Sequence, residues 1–148
     1  MIWSSQLKQY RGLIIFFSAA TLLFVLAQVW HAQSAPEEKK QEQERQLRGT
    51  ALIMNAGTPK MLDESNRLDS VTYKDGVMRI SYTLTTVSKN EVDADAFKKE
   101  RKAIAASVSC DEKGLGTFVK SGLLVYYTFN DSSNSPIAVF QIDKSDCL

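Results

Sequence analysis

The chain has 148 residues, a formal net charge of +1 and 24% charged residues. That balance supplies no long-range pull toward nucleic acid or an acidic lipid surface. One histidine, His31, and two cysteines, Cys110 and Cys147, leave no base for a Ser-His or Cys-His nucleophile and no Cys/His cluster for a metal.

The amino-terminal region is dominated by Leu13 to Val29, LIIFFSAATLLFVLAQV. The uncharged stretch from Gly12 to Trp30 reaches the lower end of the roughly 17–25 residues that a spanning helix needs. A cleaved signal peptide is the competing reading. Its apolar region usually runs about 7–15 residues, shorter than this one, but Ala32-Gln33-Ser34 offers a small-x-small cleavage site. Both readings give the same orientation. Lys8 and Arg11 lie nearer the span than Lys39 and Lys40, and Trp30 suits a membrane interface. The expected organisation is a cytoplasmic segment 1–11, a transmembrane signal-anchor 12–30, a polar linker 31–48 and a periplasmic domain 49–148. The expected location is the inner membrane, crossed once, with the carboxy-terminal domain in the periplasm.

Cysteine usage agrees with export. Two cysteines in an exported domain most simply form one disulfide in an oxidising compartment, with two unrelated buried thiols as the alternative. A closed loop of about 37 residues is worth roughly 4 kcal/mol in the chain-entropy picture.

Pro36 to Arg48, PEEKKQEQERQLR, has no aromatic or β-branched residue and reads as a polar spacer with transient helix and Glu44–Arg48 pairing. A short helix over roughly Glu44 to Ala56 follows, ended by Gly57 and Pro59. Pro59 to Asn66 reads as an irregular lead-in to the first strand. Leu68 to Lys74, Asp75-Gly76 and Val77 to Thr85 then form a hairpin signal, because Asp-Gly suits a type I′ turn. Met78, Ile80, Tyr82 and Leu84 alternate with polar residues, and a two-residue turn sets Tyr73 opposite Met78 and Val71 opposite Ile80.

Asp93 or Asp95 suits the cap of a helix from about Ala94, whose inward rhythm is Phe97, Arg101, Ile104 and Val108 with Ala105 beside them. Lys98, Lys99, Glu100 and Lys102 read as its solvated face. Cys110 falls where that helix ends. Thr117 to Ser121 reads as one helical turn closed by Gly122. Leu123 to Phe129, LLVYYTF, is apolar on both faces and suits a mid-sheet strand, and Pro136 precedes a last strand from Ile137 to Ile142. The expected fold is α+β: a four-stranded antiparallel sheet made of two β-hairpins, with helices on one side, in the order α-β-β-α-β-β.

Reactive constellations are sparse. Asp63 and Glu64 are the nearest candidate acid–base carboxylate pair, and capping or solvation is the ordinary role of such a pair. Gly114-x-Gly116 neither follows a strand nor opens a long helix, which argues against a phosphate cradle. No cofactor, metal ligand set or small-molecule substrate is evident. If Leu124 and Tyr126 share an outer sheet face, they make a modest aromatic patch for a protein partner, unless the amino-terminal helix covers it.

Pro59-Lys60-Met61-Leu62-Asp63, Arg67-Leu68-Asp69-Ser70-Val71, the Gly-turn hairpin and the two cysteines, with Val125-Tyr126-Tyr127 and Asp146-Cys147, resemble a loose group of bacterial envelope proteins. These have small α+β domains behind one amino-terminal membrane segment or lipid anchor, and pilotin-like accessory proteins of secretion systems share the small disulfide-bonded form. Pilotins are commonly lipidated, whereas no cysteine follows the apolar segment of this chain before Cys110. The resemblance implies location and fold, and brings no catalytic residues. Two functions are weighed. One is a membrane-tethered, non-catalytic periplasmic module that binds an envelope protein, shading into a subunit of a larger membrane machine. The other is a cell-wall hydrolase or hydrolase inhibitor, or a cleaved secreted domain, and as an enzyme it needs Asp63 or Glu64 with a raised pKa.

Overall fold

A computed structural model describes residues 37–147 of the chain. The signal-anchor 12–30, the segment before it, His31 and the Ala32-Gln33-Ser34 site lie outside the described residues. Among the described residues no helix is long and apolar enough to cross a membrane. The chain divides into two compact units, Met1–Glu42 and Gln43–Leu148, and the sheet lies in the second.

Helix α1 covers residues 37–55. The polar segment expected as a spacer is therefore helical through its described residues, and its lone leucine explains the end that packs: Leu47 and Ala51, one turn apart, are buried. Gly57, at φ 81°, turns the chain away after the helix as the sequence predicts. Asn55 at the helix end ties it to the sheet, its Oδ1 accepting from the Val71 N–H at 2.8 Å.

The sheet corrects two expectations. It has five strands in the order β1-β2-β3-β4-β5, and it is mixed. The strands are β1 (Lys60–Met61), β2 (Asn66–Lys74), β3 (Val77–Leu84), β4 (Leu124–Asn130) and β5 (Pro136–Ile142). The additional strand β1 is two residues long and pairs Lys60 with Leu68 and Met61 with Arg67, too short for an alternation pattern to reveal. The second correction is at the centre, where β3 and β4 run parallel, Met78 beside Val125 and Ile80 beside Tyr127. Two tight hairpins dictate antiparallel pairing only within themselves. The connection between them carries helix α2 (Ala94–Ser109), and a crossover of that length returns the chain in the same direction.

Local predictions hold in the β2–β3 hairpin. Asp75 and Gly76 take φ of 51° and 77°, and the register sets Tyr73 against Met78 and Val71 against Ile80. A bulge at Asp69 interrupts the ladder, and its carboxylate accepts from Arg67 Nε at 2.6 Å and from Thr83 Oγ1 at 2.7 Å. β4 lies between β3 and β5, the interior position that its apolar run demands.

One hydrophobic cluster joins the helices to a single sheet face. Val71, Met78, Ile80, Val125, Tyr127, Phe129, Phe140 and Ile142 meet Leu47 and Ala51 of α1, Ala105 of α2 and Val119 of the short helix α3 (Gly116–Lys120). Asp93 caps α2, accepting from the N–H groups of Asp95 and Ala96. At the far end Cys110 bonds Cys147, their Cα atoms 5.3 Å apart. Next to that bond only glycine fits at position 116, where a Cβ would collide with the Cys110 carbonyl oxygen and lie 2.8 Å from the Asp111 backbone. Away from these helices, Asp131 gathers the β4–β5 loop. Its buried carboxylate accepts from the Ser135 N–H above all, then from the Lys89 N–H and the hydroxyl and N–H of Ser133, which holds its pKa down at about 2.

Candidate functional site

Helix α2 sits on the sheet in a register different from the expected one. The stripe it buries runs Phe97, Arg101, Ala105, Ser109, four residues apart, with Ala105 and Ser109 fully inside. Ile104 and Val108, expected to face the core, are 49% and 64% exposed. The physical reason is at Tyr127, whose hydroxyl meets the Ser109 hydroxyl at 2.8 Å within the core. The disulfide one residue later holds that end of the helix. Small residues can approach the sheet closely, and the larger aliphatic side chains are left on the flank.

Beside that flank runs a groove of about 220 Å³. Its floor is aromatic, formed by Tyr82, Tyr127 and Phe129, and its helical wall by Arg101, Ile104 and Val108. Leu62, 53% exposed, and Asp63 form the opposite rim, from the loop after β1. The rings stack on one another: Tyr82 lies parallel to Tyr127 and near-parallel to Phe129, centroids 6.5 and 5.0 Å apart, and Phe97 meets Phe129 edge-on at 5.4 Å. Burial raises the pKa of both tyrosines, opposed at Tyr127 by the Ser109 hydrogen bond, so both stay neutral.

The carboxylates suspected of acid–base chemistry are arranged otherwise. Asp63 is exposed and accepts from the N–H and hydroxyl of Ser65 and from the backbone and side-chain N–H groups of Asn66. The Ser65 N–H first, with the Asn66 amide beside it, holds its pKa below the usual carboxylate value. A general acid requires the opposite shift. Glu64 beside it is exposed. Asp63 is thus the keystone of a turn, which removes the raised pKa that the hydrolase reading requires of it. Among the described residues no group of three or more His, Cys, Asp or Glu side chains is placed to hold a metal ion.

Leu124 and Tyr126 lie on the other sheet face. They alternate along β4 with Val125, Tyr127 and Phe129, and both are partly exposed. The Arg79 guanidinium packs over the Tyr126 ring, 5.8 Å from its centroid. The buried residues of α1 join the opposite side. The groove was missed because its margin follows from the rotation of α2, and no periodicity in the helix reports how close its neighbours approach. The signal within reach was the Ala105/Ser109 pair, small residues four apart.

A five-stranded mixed sheet covered on one face and closed by a carboxy-terminal disulfide is the architecture of a small α+β domain. No protein-family model and no curated protein matches the sequence. Solved structures do match the fold. The type II secretion system pilotin AspS from Vibrio cholerae has a TM-score of 0.58 at 16% identity, covering 76% of this chain and 99% of that one. The type 2 secretion system pilotin EpsS from Vibrio vulnificus has a TM-score of 0.55 at 18% identity, covering 76% and 97%. A protein of Pseudomonas aeruginosa described as secreted has a TM-score of 0.57 at 17% identity, covering 72% and 94%. The chain is distantly pilotin-like in fold.

Proposed function

We propose that this chain is a non-catalytic accessory module of a bacterial secretion assembly. In this reading the apolar segment 12–30 tethers it to the inner membrane and its domain binds an envelope protein in the periplasm. The observation that carries the reading is the groove. It pairs an aromatic floor with three exposed aliphatic side chains, Ile104, Val108 and Leu62, and apolar surface gathered in a cleft with a polar surround is the usual form of a protein-binding site. The likeness to pilotins adds support for a partner in an envelope assembly. The face bearing Leu124 and Tyr126 is the weaker surface, since Arg79 already covers the Tyr126 ring.

Site-specific photo-crosslinking in the native cell tests the reading. A crosslinker replacing Ile104 or Val108 in the full chain is expected to capture one recurrent integral envelope protein, and a crosslinker at Leu124 or Tyr126 is not. Capture from the Tyr126 face alone would move the site to that face, and no recurrent envelope partner from either face would sink the function. A carboxy-terminal reporter active only inside the cell would refute the location.

A further inference from the structure

The groove wall contains one cation, Arg101, that pairs with no carboxylate among the described residues. Arg101 is half-buried, its Nε is wholly enclosed with no hydrogen-bond acceptor, and none of the ion pairs among the described residues includes it. Aromatic rings surround it instead. Its Cζ lies 5.1 Å from the centroid of Phe97 and 6.0 Å from that of Phe129. The nearest acidic candidate on the same groove, Asp63, is committed to the Ser65–Asn66 turn. A buried donor left unmade is costly, and a charged donor more so. A guanidinium packed on aromatic faces also keeps its in-plane N–H donors for a carboxylate, which it binds in bidentate fashion.

We infer that the groove recognises an acidic–apolar peptide segment of its envelope partner, with one carboxylate paired to Arg101 and flanking apolar side chains seated between Ile104, Val108 and the Tyr82–Phe129 floor. This rests on the groove being the docking site and adds the chemistry of its occupant. The carboxylate pairs with the terminal N–H groups of the guanidinium, since Nε itself is enclosed, and the apolar neighbours exclude water from the pair, which strengthens it. Arg101 thereby sets specificity, because a peptide lacking the acid leaves a desolvated cation unpaired.

The test uses the full-length, disulfide-intact chain and a displayed library of random dodecapeptides, from which enriched sequences are synthesised and their affinities measured. The expected result is enrichment of Asp or Glu beside Leu, Ile or Phe. Arg101→Gln is expected to weaken the best peptide at least about tenfold, as is changing the peptide's acid to its amide with the protein untouched. Combining both changes should cost little more than either one, the signature of a direct pair, and Arg101→Lys should recover part of the loss. The peptide-side change keeps the result decisive even if an Arg101 variant folds poorly. Purely apolar peptides that Ile104→Asp displaces and Arg101→Gln leaves bound would overturn this inference while sparing groove docking. Peptides indifferent to both substitutions, or no enrichment at all, would overturn the docking site together with it.

Discussion

Helix α2 has two flanks that began with similar prospects and ended with different roles. On one, Ser109 and Cys110 are drawn into the fold by Tyr127 and Cys147. On the other, Ile104 and Val108 stand beside a groove with their aliphatic surface uncovered. The contrast teaches that hydrophobicity did not select the buried side. Close approach, a hydroxyl pair and a covalent bond did, and the greasier residues were displaced to where a partner can reach them.

Breaking the closed flank should have the largest effect. Cys110→Ser, or reduction of the native chain, is expected to cost roughly 4 kcal/mol, read as a drop in urea midpoint that reductant reproduces in the unsubstituted protein and does not deepen in the variant. Gly116→Ala should follow at about 1–3 kcal/mol, because the added methyl group meets backbone that cannot swing aside. Ser109→Ala leaves the Tyr127 hydroxyl buried without its partner and is expected to cost about 1–3 kcal/mol. Adding Tyr127→Phe to it should recover much of that loss, and a chemical-denaturation cycle over the four proteins decides the matter.

Asp131 bonds to neither flank and provides a control in pH. Its folded pKa, about 2, is below the ordinary 3.8, so the unfolded chain takes up its proton first. The stabilisation is complete above about pH 4 and disappears as pH falls toward 2. Asp131→Asn should flatten the stability–pH curve in that window, and an unchanged slope would show that the loop contacts contribute nothing. The open flank should show the smallest effect on folding. Ile104→Ser with the crosslinker at Val108, and Val108→Ser with the crosslinker at Ile104, are expected to abolish the partner crosslink, while each serine alone moves stability by no more than about 0.5 kcal/mol. A large loss of stability would mean that this flank is part of the core after all.

Legibility followed the range of the interactions. The β2–β3 hairpin was readable because Asp75-Gly76 accepts positive φ and the alternation of Met78, Ile80 and Tyr82 leaves one register. The cap at Asp93 and the end of α1 at Gly57 were readable for the same local reason. Strand β1 was not, since two residues paired with Leu68 and Arg67 draw their order from β2. The groove was half legible: its aromatic floor lies in strands with clear patterns, but its wall depends on how α2 is turned. Tyr82, Phe129 and Arg101 are distant in the chain and come together only after the crossover is made.

Length, charge, cysteine content and strand rhythm were enough to specify an α+β domain with one strong hairpin, because turn dihedrals and alternating burial are properties of neighbouring residues. The parallel join of β3 to β4, the rotation of α2 and the placing of the Arg101 cation on aromatic rings arise from contacts between segments many residues apart. Their energies depend on packing distances that no short window of sequence contains.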